Sequence, residues 1–169
     1  MYHADREIRD VQLIKAILDM CDVIDIGFAD GEYPYVLPVN FGYEFEDDLV
    51  FYTHHAVNGY KNALIEKNPK VCVVTYKFID LPDESGGRVH DYRSVMAFGN
   101  MRFIERDSDE YAKAWAVLTR CNHREAPAAV FNPDFKVLMG KIVCRREDVI
   151  GKAQYPITEL KDIPFKNNQ

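Results

Sequence analysis

The sequence predicts a mainly β protein, a small β-barrel with flanking helices, and three observations carry that expectation. Six β-prone segments follow one another, most of them joined by short turns, which makes neighbouring strands antiparallel. One of them, Val71 to Phe78, is almost continuously apolar and suits burial on both faces. Helical periodicity shows in two amphipathic segments, one before the first strand and one between the last two, so the helices flank a sheet rather than alternate with strands.

The first helix is expected from about Asp5 to Met20, where Ile8, Val11, Leu13 or Ile14, Ile17, Leu18 and Cys21 recur at three and four, with Asp5 and Glu7 at the start. Val23 to Ala29 reads as a strand, Asp30-Gly31 as a hairpin turn and Tyr33 to Tyr43 as the next strand. Pro34 and Pro38 inside that second strand cannot donate ladder hydrogen bonds. They imply an edge, a bulge, or a place where a ligand takes over free backbone groups. Glu46-Asp47-Asp48 turns the chain into Leu49–Thr53, completing a three-stranded meander. A short helix follows from Tyr60 to Lys67 and ends at Asn68-Pro69.

After the apolar strand, Asp80 to Asp91 has loop chemistry throughout, and a connection of that length is expected to be functional or mobile. Tyr92 to Glu105 is a long strand bending at Gly99. Asp107-x-x-Glu110 is a capping box for a helix whose apolar face is Tyr111, Ala114, Trp115, Leu118 and Cys121, with Trp115 in the core. Asn122–Pro133 reads as a loop, Phe135–Arg146 as the last strand and Gly151-Lys152 as the approach to a C-terminal tail, residues 153–169, of a single domain spanning 1–169.

Composition narrows the function. With 169 residues, 47% hydrophobic and 28% charged, the chain is long enough for a sizeable core. A net charge of −6 without any run of Lys or Arg argues against nucleic acid and for a small-molecule partner. Neither a signal peptide nor a membrane span is visible, so a cytoplasmic location is expected. Cys21, Cys72, Cys121 and Cys144 are far apart and are expected as buried free thiols. Neither Cys121-x-His123 nor His90-Asp91 has a second pair at ligand spacing, so no metal site is expected.

The stretch from Phe51 to Lys61 carries the chemistry. A strand runs through Asn58-Gly59 into a helix start, which gathers free N–H groups and a positive dipole end. Thr53, His54 and Lys61 could there converge on one phosphate; the alternative is a connection whose His and Lys are merely solvated. His54 and His55 point to opposite faces of a strand, so a single face takes one of them.

Five pieces in order resemble the flavin-binding split-barrel proteins related to pyridoxamine 5′-phosphate oxidase, and among them the nitroimidazole-resistance-type branch. They are Arg6-Glu7-Ile8-x-Asp10, Pro34 to Tyr43, His54-x-Ala56-x-x-Gly59-x-Lys61, Tyr92-x-Ser94-Val95-x-x-Phe98-Gly99 and Gly151-Lys152. The resemblance implies a six-stranded, Greek-key-like FMN-binding split barrel that forms a homodimer with the flavin at the subunit interface. Lys61, with Gly59 and the strand end Tyr52, Thr53 and His54, is expected at the phosphate. Tyr35, Val36, Leu37, Pro38, Val39 and Asn40 are expected along the isoalloxazine ring, and Tyr92, Arg93, Ser94 and Val95 are expected to close the site. His54 takes the family's position, which leaves His55 for the surface or a dimer interface. The loop Asp83–Asp91 is expected over the substrate side.

The implied activity is reduction of a small organic molecule, such as a nitro-aromatic 5-nitroimidazole, with electrons from NAD(P)H or another donor. No GxGxxG follows a strand, so a pyridine nucleotide would visit transiently. Alternatives are a flavin-binding or redox-sensing module without turnover, and haem or deazaflavin in the same groove.

Overall fold

The computed structural model describes residues 3–82, 88–122, 137–155, 157 and 159. Its strands are β1 (Glu7–Ile8), β2 (Val23–Phe28), β3 (Tyr35–Phe45), β4 (Leu49–Ala56), β5 (Lys70–Pro82), β6 (Arg88–Phe103), β7 (Val137–Cys144) and β8 (Val149–Ala153), and its helices are α1 (Val11–Asp19), α2 (Tyr60–Lys67) and α3 (Asp109–Cys121). All pairings are antiparallel, in the order β1-β8-β6-β5-β2-β3-β4-β7, and a further β6–β7 pairing closes β2 to β7 into a six-stranded barrel. The mainly β barrel with flanking helices is therefore the fold, with β1 and β8 added outside the closed ring.

Alternation decides what fills the barrel. Ile24, Ile26, Phe28, Phe41, Phe51, Val73 and Ile142 point inward and join Ile14, Ile17 and Leu18 of α1 in one core cluster. A second cluster lies under α3, where Ala114, Val117 and Leu118 meet Tyr52 and Met139. Trp115 is partly buried against it, as its helical position predicts. Glu110 on α3 bonds Arg102 and Lys141, both at the sheet, and ties the helix down by its first turn.

Several expected boundaries move. The first helix begins at Val11, because the Asp10 carboxylate caps it by accepting from Gln12 N at 2.8 Å and Leu13 N at 3.0 Å. The residues before it form a short turn, Ala4–Arg6, and strand β1, which pairs Glu7 with Lys152 and Ile8 with Gly151. Helix α3 is capped by Ser108, whose hydroxyl accepts from Tyr111 N, rather than by Asp107. Gly151-Lys152 belongs to β8, which pairs with β6 over Arg93 to Ala97. The polar stretch from Asp80 is also no long loop: β5 and β6 continue as a paired ribbon to Pro82 and Arg88. Strand pairing there is carried by backbone groups, so a polar sequence can form it and still read as a loop. Residues 83–87 lie outside the described residues, as do 123–136 and most of 153–169.

Among the described residues, no helix is long and apolar enough to cross a membrane, and no three His, Cys, Asp or Glu gather as a metal site. The cysteines are free, but only Cys144 is buried; Cys21, Cys72 and Cys121 are half-buried.

Candidate functional site

Strands β3 and β4 pair over Phe41 to Phe45 and then part. The last rung is Phe41 with Thr53. Beyond it Tyr35 to Asn40 pair with β2 alone, and His54 to Ala56 pair with β7 alone. One side of the Tyr35–Asn40 backbone thus lies outside any ladder, which is where a proline is tolerated, and Pro38 sits in it. The slit so formed ends at α2, the helix that follows β4.

Which side chains border this slit follows from the two-residue period of the strands. Val36, Pro38 and Asn40 are exposed on the outer face of the barrel, while Tyr35, Leu37 and Val39 are half-buried against the core. On β6, Arg93 and Val95 point inward, and Tyr92 and Ser94 outward. Ladder register carries this outer face across the sheet: Val36 stands opposite Gly27, Gly27 opposite Cys72, and Cys72 opposite Phe98. On β4, Tyr52 lies outward beneath α3 and His54 is exposed, whereas Thr53 and His55 are buried. The residues expected along a ring and around a phosphate therefore divide, with Val36, Pro38, Asn40, His54, Tyr92 and Ser94 on one face and Thr53, Arg93 and Val95 on the other.

Lys61 is the unusual group. It is 7% exposed, and among the described residues its ammonium has a single hydrogen bond, donated at 3.4 Å to the carbonyl of Ala56. No carboxylate pairs with it among the described residues. Burial holds its pKa below the ordinary lysine value. It lies in the first turn of α2, whose N-cap is Gly59 and whose first N–H groups receive no side-chain acceptor, unlike those of α1 and α3. A buried cation with one long bond beside an uncapped helix start is a place for an anion.

Thr53 and His55 form a different unit from the one expected. The Thr53 hydroxyl and His55 Nε2 are 2.7 Å apart inside the barrel, and the His55 ring meets Phe103 edge-on at 5.9 Å. Gly140 makes room for them, since a Cβ there would stand 2.8 Å from Thr53 Oγ1 and 3.0 Å from His55 Nε2. His55 is 4% exposed, so its expected place at the surface is corrected, and Thr53 cannot share a face with His54. Period-two alternation carried this signal: residues 53 and 55 must lie together once one of them is inside.

Burial, then Lys61 and then His54 push the His55 pKa down from 6.5 to about 4. The unfolded chain therefore binds a proton between those values that the native state refuses, and stability falls as pH drops through that window. We expect up to about 3 kcal/mol lost between pH 6.5 and 4, from ~1.4 kcal/mol per pKa unit. Urea unfolding of the protein and of His55→Gln across this range checks it; equal slopes in the two proteins would remove His55 as the cause.

Arg93, expected among the residues that close the site, is buried in this structure. It is 4% exposed and bonds Asp91, itself 1% exposed, with Nε and Nη2 both 3.0 Å from Oδ2. Among the described residues, Asp91 Oδ1 and Arg93 Nη1 have no hydrogen-bond partner. Nothing in the polar 80–91 stretch marked Asp91 as a buried ion, and pairing two residues apart on one strand face was the available signal.

The sequence matches the pyridoxamine 5′-phosphate oxidase family over residues 10–133. No curated protein matches it significantly. Among solved structures it is similar to a candidate 5-nitroimidazole antibiotic resistance protein from Bacteroides thetaiotaomicron, at 27% identity and a TM-score of 0.73, over 87% of this chain and 86% of that one. It shares its fold with a FAD- and haem-binding protein from Mycobacterium smegmatis, at 16% identity and a TM-score of 0.65, over 94% of this chain and 78% of that one. It also shares it with a FAD-binding protein from Mesorhizobium loti, at 21% identity and a TM-score of 0.60, over 88% and 96%. The match covers well over half the sequence, and so the chain belongs to the pyridoxamine 5′-phosphate oxidase family.

Proposed function

We propose that this protein is a cytoplasmic, homodimeric FMN flavoprotein that reduces a small organic molecule, a nitro-aromatic such as a 5-nitroimidazole among them, with electrons from NAD(P)H or another donor. The observation that carries the reading is the buried Lys61 ammonium with its single 3.4 Å bond at the uncapped start of α2, which fits a terminal phosphate. In this reading Lys61 and the Gly59 turn hold the phosphate. Val36, Pro38 and Asn40 border the ring, with His54 on the same outer face, and the free side of the Tyr35–Asn40 backbone serves the ring's polar atoms. Tyr92 and Ser94 close the site from β6, Lys152 lying 5.9 Å over the Tyr92 ring. Tyr35, Leu37, Val39, Thr53, Arg93 and Val95 support that surface from the core side, and Tyr52 lies outward beneath α3. The bound flavin supplies the electron transfer, and these residues bind and orient it.

The homodimer is supported by the outer face itself. Val36, Phe98, Tyr76 and Phe78 are exposed large hydrophobics on β3, β6 and β5; Val36 and Phe98 are linked in register through Gly27 and Cys72, and Tyr76 and Phe78 stand opposite Ser94 and Tyr92. The flavin-binding names of the Mycobacterium and Mesorhizobium neighbours support a flavin in general. Haem would need His54 or His55 as an axial ligand, and of these His55 Nε2 is already engaged by Thr53.

The test is the visible spectrum of the purified protein before and after added FMN, followed by anaerobic NAD(P)H and then a 5-nitroimidazole. Flavin absorption that bleaches with the donor and returns with the acceptor is the expected result. Flavin that binds but cannot be reduced or reoxidised would leave a binding or sensing module, an intense Soret band would point to haem, and no uptake of FMN would sink the flavoprotein reading.

A further inference from the structure

A cleft of about 620 Å³ opens on the barrel where β2, β5 and β6 lie side by side, and none of the residues assigned above to the flavin lines it. That volume suits a small molecule. Its floor follows from ladder register. Gly27 stands opposite Cys72 and Cys72 opposite Phe98, so the three share one row of the outer face. Two residues along the same strands, Lys70 stands opposite Asn100 on that same face. Phe98, 50% exposed, rises as a wall beside the floor.

Gly27 is what keeps the floor low. It sits inside β2 and pairs on both sides, with Val36 and with Cys72, where a glycine weakens a strand. Packing does not ask for it: a Cβ there would meet Cys72 O at 3.6 Å and Cys72 Cβ at 3.9 Å, ordinary contact distances, and its φ is not left-handed. Gly99 differs, because a Cβ there would stand 2.5 Å from Val143 O. A glycine inside a strand that the strand's own neighbours do not require marks a close approach from outside the fold.

The polar groups gather at one end. Of the three charged residues that line the cleft, Arg145 and Asp148 are bound to each other, with Nε and Nη2 at 2.9 and 2.8 Å from Oδ2. Lys70 remains, and among the described residues neither its ammonium nor the Asn100 amide has a partner. Asn68 Oδ1 accepts from Lys70 N at 3.1 Å, which leaves the Asn68 amide NH2 as a further donor. An ammonium and amide donors thus stand about two residues, or ~7 Å along the strands, from an open apolar floor. Phe98 also belongs to the apolar face that supports the homodimer, so a second copy is the competing occupant. A recessed floor with an unpaired cation at its end fits a small anion better than it fits the face of a sheet.

We propose that this cleft binds a planar aromatic mono-anion, an aryl carboxylate whose ring lies on Gly27 and Cys72 against Phe98 and whose carboxylate meets Lys70 and Asn100. The site is separate from the flavin groove and does not depend on it.

The experiment is calorimetric titration of the full chain, saturated with FMN, with 2-naphthoate and with its uncharged counterpart 2-naphthylmethanol. The native protein is expected to bind the acid about tenfold more tightly than the alcohol, the lower end of what a charge-assisted hydrogen bond contributes. Lys70→Met should remove that preference and leave the alcohol unchanged. Gly27→Val, which fills the floor with a strand-forming residue, should weaken both ligands by about tenfold or more. Circular dichroism checks the fold of each variant, and light scattering its oligomeric state. No binding of 2-naphthoate by the native protein overturns the proposal, and a change of oligomeric state in Gly27→Val would then show that a second copy covers the floor. Equal affinity for acid and alcohol overturns it as well, as does binding of 2-naphthoate that neither variant alters.

Discussion

Arg93→Ala is expected to destabilise the protein by about 3–5 kcal/mol, the usual result of leaving a buried carboxylate without its cation. The pair is deep enough for this to apply, with Asp91 1% and Arg93 4% exposed, and the Asp91 carboxylate would keep only water or backbone for company. Replacing both residues by apolar ones of similar volume, Asp91→Leu with Arg93→Met, should cost far less, because two desolvation penalties disappear together. Among the described residues Asp91 Oδ1 and Arg93 Nη1 are unpartnered, so the pair is half-satisfied there and a small or even favourable change is the expected sign in the double variant. Urea unfolding midpoints of the two single variants and the double variant form the cycle. A loss below about 1 kcal/mol in Arg93→Ala would show that the guanidinium does not neutralise a buried charge.

The second large effect has opposite signs in two measurements. Lys61→Met keeps the aliphatic stem of a buried side chain and deletes its ammonium, which has a single 3.4 Å bond to Ala56 O. The flavin-free protein should hold its stability or gain about 1 kcal/mol, since a poorly satisfied buried charge is removed. FMN affinity should fall by about 10- to 100-fold, the worth of one or two charge-assisted hydrogen bonds to phosphate. Thermal unfolding without flavin and an FMN titration read the two signs separately. A variant that loses stability and keeps its affinity would place Lys61 in the structural framework instead of the phosphate site.

These two residues also show where the sequence was readable. Lys61 was found because a glycine turn between a strand and a helix has few alternatives, and α2 runs over the expected Tyr60–Lys67. Pro38 of β3 was equally informative, whereas Pro34 falls just before the strand: a strand carrying Pro38 had to have an unpaired side, and its ladder to β4 stops at Phe41. What could not be read was which face of a strand is inside. Alternation says that Thr53 and His54 part, but the choice is made by Gly140 of β7, whose missing side chain opens room for Thr53 and His55. The same limit hid Asp91, set in a polar stretch whose pairing with β5 depends on register and not on composition. Boundaries moved where a stronger local partner existed, as when Asp10 and Ser108 took the caps that Asp5, Glu7 and Asp107 could have filled.

The two-residue strand β1 has a role that its length conceals. Strand β8 is added outside the closed ring and would present an edge of free hydrogen-bonding groups. Glu7 and Ile8 cover part of it by pairing with Lys152 and Gly151, and Arg9 reaches past them to the carbonyls of Glu147 and Val149. A strand this short, followed at once by a charged side chain and a helix cap, offers a second molecule almost no length on which to add. The amino-terminal residues thus act as a guard against open-ended sheet growth, and a chain shortened past Ile8 would be folded in its barrel yet prone to stick to its own kind.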